Sequence, residues 1–312
     1  NSGAVKAIKE KYSEVKIVGN KKTMNFLEGF YNINNGLHIV SNGDSIDLGN
    51  RELEFFLTPM VHWPETMMTY DNKDKVLYSG DAFGSFGALD GGIFDDEIKK
   101  HRYDDEIRRY FSNIVGKYSM MVQRALQKLS DIEINIVAST HGPVWRDDAE
   151  YIINYYDRLS SYKAKDGIVI IYGSMYGNTK LMAEKIARSL AEAGVKDIKI
   201  HDAARTDNSY MISDIWKYKG LILGSCAYNT KVFPPVESLL SALENRKIKD
   251  RFVGVFGSYS WSGGGVKGIK EFVEDNNLEL IEPVVETKHA PGEDIFEENK
   301  ELAANMADKI IN

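Results

Sequence analysis

The chain has 312 residues, 43 % hydrophobic and 27 % charged, which suggests about two domains of ~100 to 200 residues, each with a buried core. Lysine and arginine total 39 against 46 aspartate and glutamate, and the net charge of −7 argues against a nucleic-acid surface and gives no basic stripe for anionic lipid. Cys226 alone allows no internal disulfide and no cysteine-rich zinc or iron–sulfur site, no run approaches the ~18 apolar residues of a membrane span, and Asn1-Ser2-Gly3 carries no signal-peptide pattern. A cytoplasmic protein acting on small molecules or protein partners is expected, with no nucleic acid and no membrane.

In chain order, the first half reads as mixed strand and helix. A strand ends at Val18, a helix spans Thr23 to Phe30, and strands cover His38 to Val40, Glu54 to Leu57 and Val76 to Tyr78. A long helix from Ile107 to Leu129, a strand ending at Val137 and a helix from Asp147 to Leu159 follow. The polar stretch from Tyr162 to Gly167 then marks a boundary, dividing the chain into domains 1–165 and 166–312. Beyond it the pattern alternates: strand Ile168 to Tyr172, helix Thr179 to Ala193, strands Ile198 to His201 and Gly220 to Gly224, helix Val236 to Leu243, strand Phe252 to Gly257 and a helix from Val266. A strand from Glu279 to Val284 and a helix from Glu297 to Ile311 complete five strands with helices between, the pattern of a doubly wound parallel sheet. Leu181, Ala183, Ile186, Ala187 and Leu190 fall near one face of its first helix.

Three residues of the first half stand out: His62 before Trp63-Pro64, Asp81 in Ser79-Gly80-Asp81, and His141 in Ser139-Thr140-His141-Gly142-Pro143. Each follows a short apolar strand, on a loop that a rigid scaffold could aim. Taken singly, a loop histidine is more often not a ligand and Ser-Gly-Asp is a plain turn; taken together they look like half a metal site. His38, His101, His201 and His289 lack such a context and read as surface or satisfied polar residues.

Ser174-Met175-Tyr176-Gly177-Asn178-Thr179 leaves an apolar strand directly and opens a helix. Hydroxyls and the N–H groups freed at a helix N-terminus can cradle a phosphate without lysine or arginine, while the bland alternative is a capped strand-to-helix turn. Ser225-Cys226-Ala227-Tyr228-Asn229 and Ser258-Tyr259-Ser260-Trp261-Ser262-Gly263-Gly264-Gly265 leave two further strand ends, where doubly wound sheets bind ligands. Small residues admit a ligand close to the backbone and aromatics can stack on a flat ring, with ordinary packing as the alternative. Here residues 166–312 resemble flavodoxin, which implies that the first loop holds the FMN phosphate and the next two, through Gly264, flank its ring. Tyr176 departs from the threonine usual in simple flavodoxins. Cys226 reads as a small packing residue rather than a redox centre.

Beside a flavin domain, the spacing and flanks of the trio resemble the later ligand motifs of the metallo-β-lactamase fold, in which His62, Asp81 and His141 follow successive strands and Asp81 bridges two metals. An incomplete metallo-β-lactamase-like αββα domain followed by a flavodoxin-like domain is similar to the flavodiiron proteins. That resemblance implies FMN, two non-haem iron ions, and reduction of dioxygen to water or nitric oxide to nitrous oxide. It also implies a head-to-tail homodimer and an external electron donor such as rubredoxin, a flavin reductase or a reduced deazaflavin. The family's first ligand motif, H-x-E-x-D-H, supplies four ligands and precedes a serine–glycine turn that Asn1-Ser2-Gly3 resembles, so the chain is expected to be an N-terminally truncated part of a longer polypeptide with doubtful iron occupancy. A zinc metallohydrolase of the same scaffold and an FMN electron-transfer module without metal chemistry are the alternatives. Met67, Met68, Met120 and Met121 suit a contact surface or a core, and Trp63 lines the metal pocket or braces its loop.

Overall fold

The structure, a computed structural model, describes residues 3–311. It divides into two compact units between Ser161 and Tyr162. The sequence placed this boundary at 165/166; it falls earlier because Tyr162 lies against Trp216 of the second unit, ring centroids 5.4 Å apart, and the first strand of that unit already begins at Lys165.

The first unit runs α1 (Val5–Lys11), β1 (Ile17–Gly19), α2 (Lys21–Tyr31), β2 (Leu37–Ile39), β3 (Ser45–Asp47), β4 (Glu52–Leu57), β5 (Met67–Asp71), β6 (Val76–Gly80), α3 (Asp104–Tyr110), α4 (Ser119–Leu129), β7 (Ile136–Ser139) and α5 (Ala149–Ser160). β3, β4, β5 and β6 form an antiparallel meander, β7 adds parallel to β6, and β1 pairs with β2 separately. The long helix expected over 107–129 is interrupted: a π turn, Phe111–Val115, and a 3₁₀ turn, Gly116–Tyr118, separate α3 from α4. Side chains compete for the helix carbonyls there, since the Ser112 hydroxyl and the Asn113 amide both donate to the Arg109 carbonyl, at 3.3 and 2.9 Å. β5 escaped the sequence reading because Met67 and Met68 carry no β-branched signal; Met68 is core, whereas Met120 is exposed.

The second unit runs β8 (Lys165–Gly173), α6 (Asn178–Glu192), β9 (Ile198–Asp202), α7 (Asn208–Lys217), β10 (Tyr218–Tyr228), β11 (Lys231–Val232), α8 (Pro234–Arg246), β12 (Phe252–Tyr259), α9 (Gly265–Asp275), β13 (Glu279–Lys288) and α10 (Glu293–Ile311). The sheet order is β13-β12-β10-β8-β9, all parallel, with the two-residue β11 added antiparallel on β10 as a sixth strand. From β8 the chain winds to β9 on one side and β10 on the other, which creates a crevice at the carboxyl ends of β8 and β10. β8 and β10 are near-continuous apolar runs because both faces are covered. α6 lays Met182, Ala183, Ile186 and Leu190 on the sheet, while Leu181, expected on that face, is turned towards solvent. Among the described residues no helix is long and apolar enough to cross a membrane.

Candidate functional site

The crevice of the second unit is a cleft lined by the three loops leaving β8, β10 and β12: Ser174, Met175, Tyr176 and Asn178; Cys226 to Thr230; and Ser258 to Ser262. None of these side chains is charged. Tyr176 is 88 % exposed and Trp261 86 %, a large aromatic surface to leave in water unless a flat ligand covers it. Gly177, in the left-handed region at φ 92°, turns the chain into α6, whose first turn has no side-chain cap. Its N–H donates to the Ser174 hydroxyl at 3.1 Å. The uncapped helix end, with its partial positive charge, is the neutral anion cradle that a phosphate needs. These features fit FMN.

Some expected cofactor contacts are not part of the lining. Thr179 is fully buried, its hydroxyl 2.8 Å from that of Ser258, so this group ties α6 to β12 beneath the cleft. The Ser225 hydroxyl is spent on the Cys226 carbonyl and the Phe233 N–H, at 2.8 and 3.0 Å. Gly264 sits where a Cβ would lie 2.0 Å from the Thr230 carbonyl, and Gly263 where one would lie 3.3 Å from Glu286, so both shape the loop between β12 and α9; Gly177 turns the first loop and is likewise outside the lining. Thr230 was missed, although Asn229-Thr230 directly after an apolar strand signals a turn; both have positive φ, 47° and 63°. Cys226 is buried, and burial pushes its thiol pKa up, as befits a packing residue.

In the first unit, the parallel pairing of β6 with β7 brings Asp81 beside Thr140 and His141, with the Thr140 N–H on the Gly80 carbonyl at 2.8 Å. The His62 loop is closed by Thr58 N–H to Thr66 carbonyl at 3.0 Å and Met60 N–H to Trp63 carbonyl at 2.7 Å. These loops converge. His62 Nε2 lies 3.3 Å from Asp81 Oδ2, and His141 Nε2 lies 3.4 Å from Asp81 Oδ1. Each carboxylate oxygen thus faces one imidazole, and the Thr140 hydroxyl donates to Oδ1 at 2.7 Å. Tyr110, unmarked by any motif, donates to the Asp81 carbonyl at 3.2 Å and lies 5.7 Å from the His141 ring; burial, then the charge of Asp81, raise its pKa well above the usual phenol value. Trp63 packs edge-on against Phe26 at 6.1 Å, which braces the loop.

Among the described residues no group of three or more His, Cys, Asp or Glu side chains could hold a metal ion. The trio matches an iron centre in kind, imidazole and carboxylate, but not in number. The serine–glycine turn at the start lies mostly outside the described residues.

Residues 2–142 match the ODP family beta lactamase, and residues 170–302 match flavodoxin. Rubredoxin oxygen:oxidoreductase from Desulfovibrio gigas superposes with a TM-score of 0.95 at 26 % identity, covering 100 % of this chain and 78 % of its own. The chain thus joins an ODP family beta lactamase domain to a flavodoxin domain, and the solved structures it resembles are flavodiiron proteins. A variant of the flavo di-iron protein from Thermotoga maritima gives a TM-score of 0.88 at 26 % identity, over 98 % of this chain and 77 % of that one. An anaerobic nitric oxide reductase flavorubredoxin from Pectobacterium carotovorum is 34 % identical over 275 residues, 86 % of this chain and 54 % of the relative. The chain spans about half the length of the curated relatives it matches.

Proposed function

We propose that the chain belongs to an oxidoreductase that passes electrons from FMN to a non-haem di-iron centre and reduces nitric oxide to nitrous oxide, dioxygen to water, or both. One observation carries this reading: a carboxylate whose two oxygens each face an imidazole, in the unit that precedes a flavodoxin-type cleft. The names of the relatives, a nitric oxide reductase and a rubredoxin oxygen:oxidoreductase, support both substrates.

The α6 N-terminus and the Ser174 turn would hold the phosphate, and Tyr176, Tyr228 and Trp261 would flank the ring and shield it from water. Cys226 and Ala227 are small enough for backbone to approach. His62, Asp81 and His141 would supply ligands to the iron pair, and the Thr140 hydroxyl fixes the Asp81 carboxylate. When bound, the flavin supplies one- and two-electron transfer and the iron pair supplies the gas-reducing chemistry. A head-to-tail homodimer, a separate donor such as rubredoxin, a flavin reductase or a reduced deazaflavin, and a cytoplasmic setting complete the proposal.

A second reading, an FMN electron-transfer module, rests on the uncharged, aromatic-lined cleft of the second unit alone. Metal and flavin analysis of the full-length gene product separates the two. About two iron per FMN supports the oxidase or reductase; no metal supports the module; zinc refutes both in favour of a hydrolase.

A further inference from the structure

Asp95 lies on the segment between β6 and α3, only 1 % exposed, with no place in the cleft or the trio. Its Oδ1 accepts the backbone N–H groups of Arg146 and Asp147 at 2.8 and 3.0 Å, and its Oδ2 accepts that of Asp148 at 2.9 Å. Three successive donors on one buried carboxylate make a charge-assisted grip, the strong kind of hydrogen bond. The main chain adds to it: Asp95 N–H bonds the Val144 carbonyl at 3.0 Å and Val144 N–H the Ile93 carbonyl at 2.8 Å. Trp145, fully buried, exchanges two bonds with Val137 of β7, at 2.8 and 2.9 Å.

The gripped segment is the return of the loop that carries His141. Upstream, the His141 carbonyl accepts from the Ser139 hydroxyl at 2.7 Å and the Ser85 N–H at 3.3 Å. Gly142 then packs so tightly on Ser85 that a Cβ would lie 2.1 Å from its Oγ. Helix capping does not account for Asp95, because Asp148 caps α5 with its own side chain on Tyr151 N–H at 3.1 Å, and the three N–H groups precede that helix. Nor does a surface ion pair, because Arg146 is engaged by Asp96 at 3.0 Å and Lys100 by Asp148 at 3.1 Å.

We propose that Asp95 is a positioning residue for His141, fixing where the imidazole stands relative to Asp81. The proposal rests on the reading of His141 as a metal ligand. Groups behind a ligand decide whether it sits within roughly 0.5 Å of a productive position.

The test compares Asp95→Asn with His141→Ala in the full-length gene product reconstituted with ferrous iron. Iron per FMN, the visible and EPR signature of the iron, and thermal unfolding are read together. Asn keeps the size of the side chain but turns an amide N–H towards the loop's own donors. The expected result is an at least threefold loss of retained iron and an altered signature of the remainder, with FMN content unchanged, in both variants. Asp95→Glu, which restores the charge one methylene further out, recovers part of the iron. Wild-type iron and signature in Asp95→Asn, beside a loss in His141→Ala, overturn the positioning role alone. Undiminished iron in His141→Ala overturns the ligand reading and the proposal with it. Should Asp95→Asn fail to fold, Asp95→Glu decides by the same measurements: altered iron retention or signature with intact FMN supports the role, and wild-type values refute it.

Discussion

The Thr179 hydroxyl separates a structural contact from a cofactor contact. It is fully buried and 2.8 Å from the Ser258 hydroxyl, itself buried, so Thr179→Val leaves Ser258 without its partner. Val replaces the hydroxyl with a methyl of similar size, so there is little cavity term, and the loss is that of an orphaned buried hydroxyl, roughly 1 to 3 kcal/mol. For a unit of this size the change corresponds to a fall of about 2 to 10 °C in the melting temperature. Ser258→Ala removes the same bond from the other side. The double variant Thr179→Val with Ser258→Ala leaves no unpaired hydroxyl, so it is expected to be less destabilised than the sum of the singles, with a coupling of about 1 to 2 kcal/mol. Thermal and urea unfolding of all four proteins, each without flavin, measure the cycle; FMN titration by fluorescence quenching measures affinity. Affinity of Thr179→Val is expected to stay within about threefold of the parent, which is ~0.65 kcal/mol. Strictly additive stabilities, or a tenfold loss of FMN affinity at unchanged stability, would place the hydroxyl in the cleft and refute the argument.

Arg251 is almost wholly buried and donates to the Ile215 and Trp216 carbonyls at 2.8 and 3.0 Å, closing the C-terminal end of α7, and burial pushes its pKa down to about 10. Arg251→Met removes both donors and should lower the unfolding free energy of the second unit by about 2 to 4 kcal/mol in urea melts; an unchanged midpoint would contradict the assignment. Gly177→Ala has open space for its Cβ but must hold φ at 92°, so strain alone should cost about 1 to 2 kcal/mol and weaken FMN binding through the α6 turn. Cys226, with its thiol raised by burial, is expected to react with Ellman's reagent at pH 8 far more slowly than free cysteine, and more slowly still with FMN bound. Burial opposes ionisation of Asp71, but the Lys73 and Asp74 N–H groups and the Arg51 guanidinium outweigh it and hold its carboxyl below the usual range. Its contribution is therefore complete above the unfolded carboxylate value near ~3.9 and lost as pH falls through the lower folded value. Arg51→Ala should be less stable than the parent at pH 7 and converge with it in acid melts.

The strand-ends bearing His62, Asp81 and His141, and the three loops of the second unit, were legible because period and punctuation are local: an apolar run followed by glycine, serine or proline. What the sequence hid depends on direction and distance. Thr179 sits in a phosphate-type motif, yet its hydroxyl faces β12, because helix phase in three dimensions decides which side a hydroxyl takes. Leu181 and Met182 exchanged places for the same reason, one position being ~100° of rotation. Tyr110 reaches Asp81 from a helix 29 residues on, a contact no spacing rule announces. The break between α3 and α4 turns on Ser112 and Asn113 reaching back to one carbonyl, whereas the apolar period alone runs straight through it. α7 was overlooked because Met211, Ile212, Ile215 and Trp216 follow a polar run, Thr206 to Ser209, that reads as loop until Asp207 is seen capping Ser209 N–H at 2.9 Å.

Gas consumption tests the central claim most directly. The full-length gene product, carrying its FMN and iron, is reduced anaerobically and mixed with dioxygen or nitric oxide in a closed electrode cell, alongside Asp81→Asn. Consumption of at least one gas by the parent protein is expected, with a loss of at least tenfold in Asp81→Asn while its FMN content is retained. Consumption of neither gas by fully loaded, reduced protein would contradict it.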